Sequence, residues 1–222
     1  MMPEAIGNAL ASDHPIFTES IRRIREHLGD TGLDPLQQQV LERLVHSSGD
    51  LGLVPLLRFS PGACARGIEA LRAAAVILTD TAMAAAAVAP MAARTLGNPV
   101  RCLLDWAPAS APAGSTRSAA AMAPAWSELT QAATATGQAM PVVLIGSAPT
   151  ALEQLLDQLQ TGAAAPSLVI GMPVGFVGVA ESKRRLATSG LDQIRLEGSR
   201  GGAGLVGAAL NALLRAARSE LP

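Results

Sequence analysis

The chain has 222 residues, of which 49% are hydrophobic and 16% charged, a balance that excludes an intrinsically disordered polymer. Its formal net charge is −1 and only 2% of its residues are aromatic, so it has neither the basic footprint nor the stacking platforms of a nucleic-acid-binding protein. About a fifth of the residues are alanine, so close backbone packing must replace ring stacking in the core.

Taken in chain order, Met1-Met2-Pro3-Glu4-Ala5 lacks the basic segment and apolar run of a secretory signal, and a cytoplasmic protein is expected. Asp13 followed by Pro15 signals a helix start, with Ile16, Ile21, Ile24 and Leu28 as its apolar stripe and Gly29 as its end. Asp34 with Pro35 opens a second helix, which Leu36, Val40, Leu41, Leu44 and Val45 bury and Gly49 ends. A third runs from about Ser60-Pro61 to Ala73, so the first seventy residues read as helical. Cys64 and Cys102 form no CxxC pair and cannot alone make a structural zinc site, so two reduced thiols are expected.

From residue 74 the pattern changes. Short apolar runs at 75–79, 100–104, 142–145, 168–170 and 193–196 alternate with helix-like segments at 81–93, 117–136, 149–160, 179–188 and 203–217. Strands apolar on both faces, alternating with helices, predict one α/β domain. Its core is a doubly wound, five-stranded parallel sheet of flavodoxin-like order 2-1-3-4-5, behind a helical segment at about 13–73. The run 82–93, interrupted by Pro90, is too short and too weakly apolar to cross a membrane.

In such a sheet, ligands bind beyond the carboxyl ends of the strands. The segments there are Asp80, Gly114-Ser115-Thr116-Arg117-Ser118, Gly146-Ser147-Ala148-Pro149-Thr150, Gly171 through Gly178, and Gly198-Ser199-Arg200-Gly201-Gly202. Glycines let backbone N–H groups approach a ligand, and Arg117 and Arg200 add planar donors for carboxylates. The rim suits a large polyanion, although the same glycines would also serve tight turns alone. Gly202-Ala203-Gly204-Leu205-Val206-Gly207 matches GxGxxG, but no further strand or acidic residue follows at the spacing of a dinucleotide fold. Of the three histidines, His14 belongs to a helix start and His27 to a solvated last turn. His46 lies in the last turn of the second helix, where the dipole and Glu42 at i−4 favour imidazolium.

Leu44-Val45-His46-Ser47-Ser48-Gly49-Asp50 resembles the histidine signature of the precorrin-8X methylmutases, also called cobalt-precorrin-8 methylmutases. The resemblance continues through residues 16–24 with Ser20, Asp80-Thr81-Ala82-Met83, Gly114 through Ser118 and Ile145 through Leu152. The run Ile170 to Lys183 is the most specific part, and Gly201-Gly202 with Ala208 to Leu213 completes the set. Two positions depart from the family pattern: Ser147 stands where Asn is usual, and Ser199 where Arg is usual.

The resemblance implies an isomerase of cobalamin biosynthesis that moves a methyl group from C11 to C12 of a corrin-type ring, with no cofactor and no protein-bound metal. It implies His46 as the catalytic residue. Ser20, Asp80, Thr116, Arg117, Gly146, Ser147, Gly171, Gly175, Arg200, Gly201 and Gly202 are implied as substrate-binding residues. The expected partners are a corrinoid substrate and product and a second copy of the chain, with the pocket near the subunit interface. Neither nucleic acid nor a membrane is expected. A non-catalytic tetrapyrrole carrier is the alternative, and it would need the same rim but no proton donor.

Overall fold

The computed structural model describes residues 14–219. Helix α1 spans Pro15–Leu28, and His14 itself caps it, its Nδ1 accepting the Ile16 N–H at 3.2 Å; Asp13 lies outside the described residues. Helix α2 spans Pro35–Ser48 and begins with a capping box, Asp34 taking the Leu36 and Gln37 N–H groups while the Gln37 side chain returns to the Asp34 N–H. Gly49 ends it in the left-handed conformation, φ 66°.

A 3-10 turn, Leu51–Leu56, leads into strand β1, Leu57–Phe59. This strand corrects two expectations, since the N-terminal segment is not purely helical and the sheet has six strands rather than five. Three residues are too few to show a period of two, and Pro55 and Pro61 on either side mask the strand. After it come α3 (Ala63–Arg72), β2 (Ile77–Thr79), α4 (Ala82–Arg94), β3 (Val100–Cys102), α5 (Arg117–Thr136), β4 (Val142–Ile145) and α6 (Pro149–Gln160). The chain then forms β5 (Leu168–Gly171), α7 (Val179–Ala187), β6 (Gln193–Leu196) and α8 (Ala203–Ser219).

The strand order is β1-β6-β5-β4-β2-β3. β1 pairs antiparallel with β6, Leu57 opposite Leu196 and Phe59 opposite Ile194, and the other five strands run parallel. By forming the antiparallel edge, β1 covers what would otherwise be the open side of β6. Successive residues of each strand face opposite layers. Ile77, Leu144, Ile170 and Ile194 pack with Val40, Leu44, Ile68, Val88 and Leu210 of α2, α3, α4 and α8. Leu78, Val143, Ile145 and Val169 pack with Met122, Trp126, Leu152 and Leu186 of α5, α6 and α7.

Alanine and glycine let α4 and α8 meet closely. A Cβ on Gly207 would stand 2.7 Å from the Ala87 Cβ, so the last glycine of the GxGxxG-like run is a helix-packing residue. The connections change direction between β2 and β4, and this switch point places the loops after those two strands side by side.

Candidate active site

His46 stands in the last turn of α2, on an open cleft of about 750 Å³ that α1 borders with Ile16, Glu19, Ser20, Arg23 and Ile24. The Ser20 Oγ lies 2.8 Å from its Nδ1, and Phe17 meets the ring edge-on with centroids 5.0 Å apart. One nitrogen and one ring edge are therefore held by successive turns of α1. Nε2 has no hydrogen-bond partner among the described residues. The family resemblance implies Ser20 as a ligand contact; in the structure its hydroxyl lies against the histidine.

The direction in which the surroundings shift His46 is opposite to expectation. Partial burial against α1 and the nearby Arg43 cation hold its pKa below the ordinary imidazole value. Glu42 does not oppose this. It is buried and turned away, bound by Arg25 at 2.7 and 3.0 Å and by Gln38 at 3.0 Å. Helical spacing alone does not tell which neighbour's carboxylate is already taken. Arg43 also lies over the Phe17 ring, 4.8 Å from its centroid, with Arg215 of α8 at 5.3 Å.

The strand-end loops are bonded into a continuous rim. Asp80, at the end of β2, is wholly buried, and its Oδ2 accepts the N–H groups of Gly146, Ser147 and Ala148 at 2.9, 2.5 and 2.8 Å. Burial raises its pKa while those donors draw it down. With no exposed surface, this carboxylate shapes the loop after β4 from behind. The next links are the Val174 N–H to the Gly146 oxygen at 3.1 Å, the Gly175 N–H to the Ser199 oxygen at 3.1 Å, and the Gly202 N–H to the Met172 oxygen at 2.9 Å.

Several rim glycines are explained by this sewing. A Cβ on Gly146 would stand 2.7 Å from the Ala203 nitrogen, and one on Gly201 only 1.9 Å from the Met172 oxygen. Gly171 is buried within β5, where a Cβ would meet Leu186 at 2.4 Å; it packs the sheet against α7 and does not line the rim. Gly175 and Gly202 adopt φ of 135° and 131°, conformations that disfavour a side chain.

At one end of the rim, the Thr116 Oγ1 caps α5 and lies 2.7 Å from the Thr150 Oγ1, while the Arg117 Nε donates to the Pro108 oxygen at 2.8 Å. Ser147 is half-buried at the entry to α6. At the other end, Arg200 reaches across to the segment that follows His46, its Nη1 donating to the Gly52 oxygen at 2.8 Å and its Nε lying 3.5 Å from the Asp50 Oδ2. Phe17, Arg43, Asp50 and Lys183 were not singled out in the sequence. Phe17, Asp50 and Lys183 lay inside the family-like motifs, whereas nothing in the spacing marked Arg43. Among the described residues, no cluster of His, Cys, Asp or Glu is arranged to hold a metal ion, and no helix is long and apolar enough to cross a membrane.

Loops gathered at the switch point of a parallel sheet, beside a histidine fixed by a serine, define an open-sheet α/β protein with a built ligand site. The chain belongs to the precorrin-8X methylmutase family, which its residues 15–216 match. It is 35% identical to the cobalt-precorrin-8 methylmutase of Synechocystis, with 94% of this chain and 98% of that protein covered. It is 40% identical to the precorrin-8X methylmutase of Pseudomonas aeruginosa over 89% of this chain and 93% of the relative. The crystal structure of the precorrin-8X methylmutase from Thermus thermophilus superposes with a TM-score of 0.81 at 39% identity, covering 93% of this chain and 98% of that one.

Proposed function

We propose that the chain catalyses the 1,5-migration of a methyl group from C11 to C12 of precorrin-8X or cobalt-precorrin-8, yielding hydrogenobyrinic or cobyrinic acid in cobalamin biosynthesis. The observation that carries this reading is the extent of the family match. Residues 15–216 take in α1, the His46 cleft and every rim loop together. Relatives named for the metal-free and the cobalt-containing ring both match across most of the chain, and the reading embraces both.

The reaction is an isomerisation, so atoms are conserved and any proton lent to the ring must return to its donor. His46 is the residue assigned to that exchange, through Nε2, with Ser20 fixing Nδ1. A substrate bearing many carboxylates supplies negative charge beside the imidazole and raises its pKa, so the ligand itself favours the protonated form. Arg117, Arg200 and the helix N-termini behind the rim loops are the groups assigned to those carboxylates. Thr116, Gly146, Ser147, Gly175, Gly201 and Gly202 supply the rim surface. Asp80 and Gly171 support it from beneath.

Two copies of the chain form the working unit in this reading, with the His46 cleft near their interface. The open side of α1 supports it, since none of that helix is fully buried. A cytoplasmic location completes the reading, and free Cys64 and Cys102 accord with it. The test is incubation of the protein with precorrin-8X, and separately with its cobalt form, followed by absorption spectroscopy. Conversion by the parent and a loss of ~10²–10⁴ in rate for a His46→Ala variant that still binds product are expected. A parent that binds product tightly and converts neither substrate would be a carrier.

A further inference from the structure

Beneath the rim lies a cation that no step above uses. Lys183 projects from α7 and is only 2% exposed. Its Nζ donates to the Gly198 oxygen at 2.8 Å and to the Arg200 oxygen at 2.7 Å. Between these two carbonyls, the Ser199 oxygen accepts the Gly175 N–H. Three consecutive carbonyls of one loop are thus held from beneath or from the side, and the Arg200 side chain emerges from this fixed backbone toward Asp50 and Gly52. Burial without a compensating carboxylate among the described residues lowers the Lys183 pKa to about 8. A buried ammonium is unfavourable unless its hydrogen bonds are well made, and here they are made to the backbone of one loop.

We propose that Lys183 is a positioning residue of the binding rim: its ammonium pins the Gly198–Arg200 backbone, so that the Arg200 guanidinium is presented to a ligand carboxylate beside the His46 end of α2. The proposal rests on the reading of the site as a corrinoid pocket. Lys183 acts only through the loop. Removing it therefore loosens substrate binding, leaves the chemical step alone, and adds nothing once Arg200 is gone.

The experiment is a double-mutant cycle of Lys183→Met and Arg200→Ala, read by KM and kcat with precorrin-8X and by titration with hydrogenobyrinic acid. Each single variant is expected to raise KM and the product Kd about tenfold, the loss of one charge-assisted hydrogen bond, with kcat within about twofold of the parent. The double variant is expected to bind within about twofold of Arg200→Ala. Unchanged binding by a folded Lys183→Met protein overturns the proposal, as does a double variant that shows the product of the two single effects. Circular dichroism checks folding. If Lys183→Met does not fold, Lys183→Gln, which keeps one donor, takes its place, with a smaller rise in KM expected and none overturning the assignment. Failure of the parent itself to convert or bind either corrinoid would instead remove the functional reading, and the proposal with it.

Discussion

An imidazole that lends and recovers a proton works best when its charge can change near the working pH, and the neighbours of His46 set it low in the free protein. Removing the Arg43 charge, as in Arg43→Met, is expected to move the His46 titration upward, with the part of the shift due to burial remaining, as followed by NMR of the ring protons. If imidazolium is the acting form, kcat/KM falls as pH rises through the free-protein pKa, and that limb moves up in the variant as well. The stability sign follows from the same shift. A histidine with a depressed folded pKa contributes its full share above the unfolded value and loses it as pH falls through the folded one. A titration unmoved by Arg43→Met would remove that cation as a cause. Asp80 makes the second residue-scale prediction. In Asp80→Asn, one side-chain oxygen must serve three loop N–H groups, two of them buried, without its charge, and about 1–3 kcal/mol of stability should be lost in urea unfolding. Faster hydrogen exchange at Gly146, Ser147 and Ala148 should accompany it; unchanged exchange and stability would count against the loop-shaping role.

Elements show what could be read from the chain alone. Helices with capping residues and terminal glycines were legible almost to the residue, as α2 between Asp34 and Gly49 shows. The apolar runs that became β4 and β6 were bounded just as clearly. β1 was hidden because Leu57-Arg58-Phe59 needs its antiparallel partner β6 to be a strand at all, a tertiary fact without a local signature. The rim glycines were visible, but not their purpose, since a glycine reserved for a ligand and one reserved for a neighbouring loop are the same letter. A matched pair of substitutions separates the two uses. Gly201→Ala drives a Cβ into the Met172 carbonyl, backbone against backbone, and should cost more than about 2 kcal/mol. Gly204 lies in the first turn of α8, and a methyl group there would meet nothing within 4 Å, so alanine should be accepted with a gain of roughly 0.4–1 kcal/mol. Equal stability of the two variants would show that the loops after β5 and β6 are not tightly joined.

At the scale of the molecule, α1 is the element least accounted for by its own chain. It rests on the core through Ile24 and Leu28, yet Ile16 at its start is 73% exposed, and open clefts of about 880 and 750 Å³ lie along its two sides. The helix supplies Ser20 and Phe17 to His46, so a loosely held α1 would leave the site loosely held too. A second copy of the chain covering the Ile16 end would remove both difficulties at once, which is why the proposed dimer and the proposed site belong together. In a two-fold assembly each such contact occurs twice. Burying one isoleucine side chain contributes roughly 1.5–3 kcal/mol, so Ile16→Asp acts on about twice that and should weaken dimerisation by two orders of magnitude or more. Sedimentation velocity across a concentration series measures this directly, and turnover should fall in step with the dimer fraction. A parent that sediments as a monomer at all concentrations, or an Ile16→Asp protein that dimerises like the parent, would separate the site from any partner and return the full burden of ordering α1 to its contacts with α2.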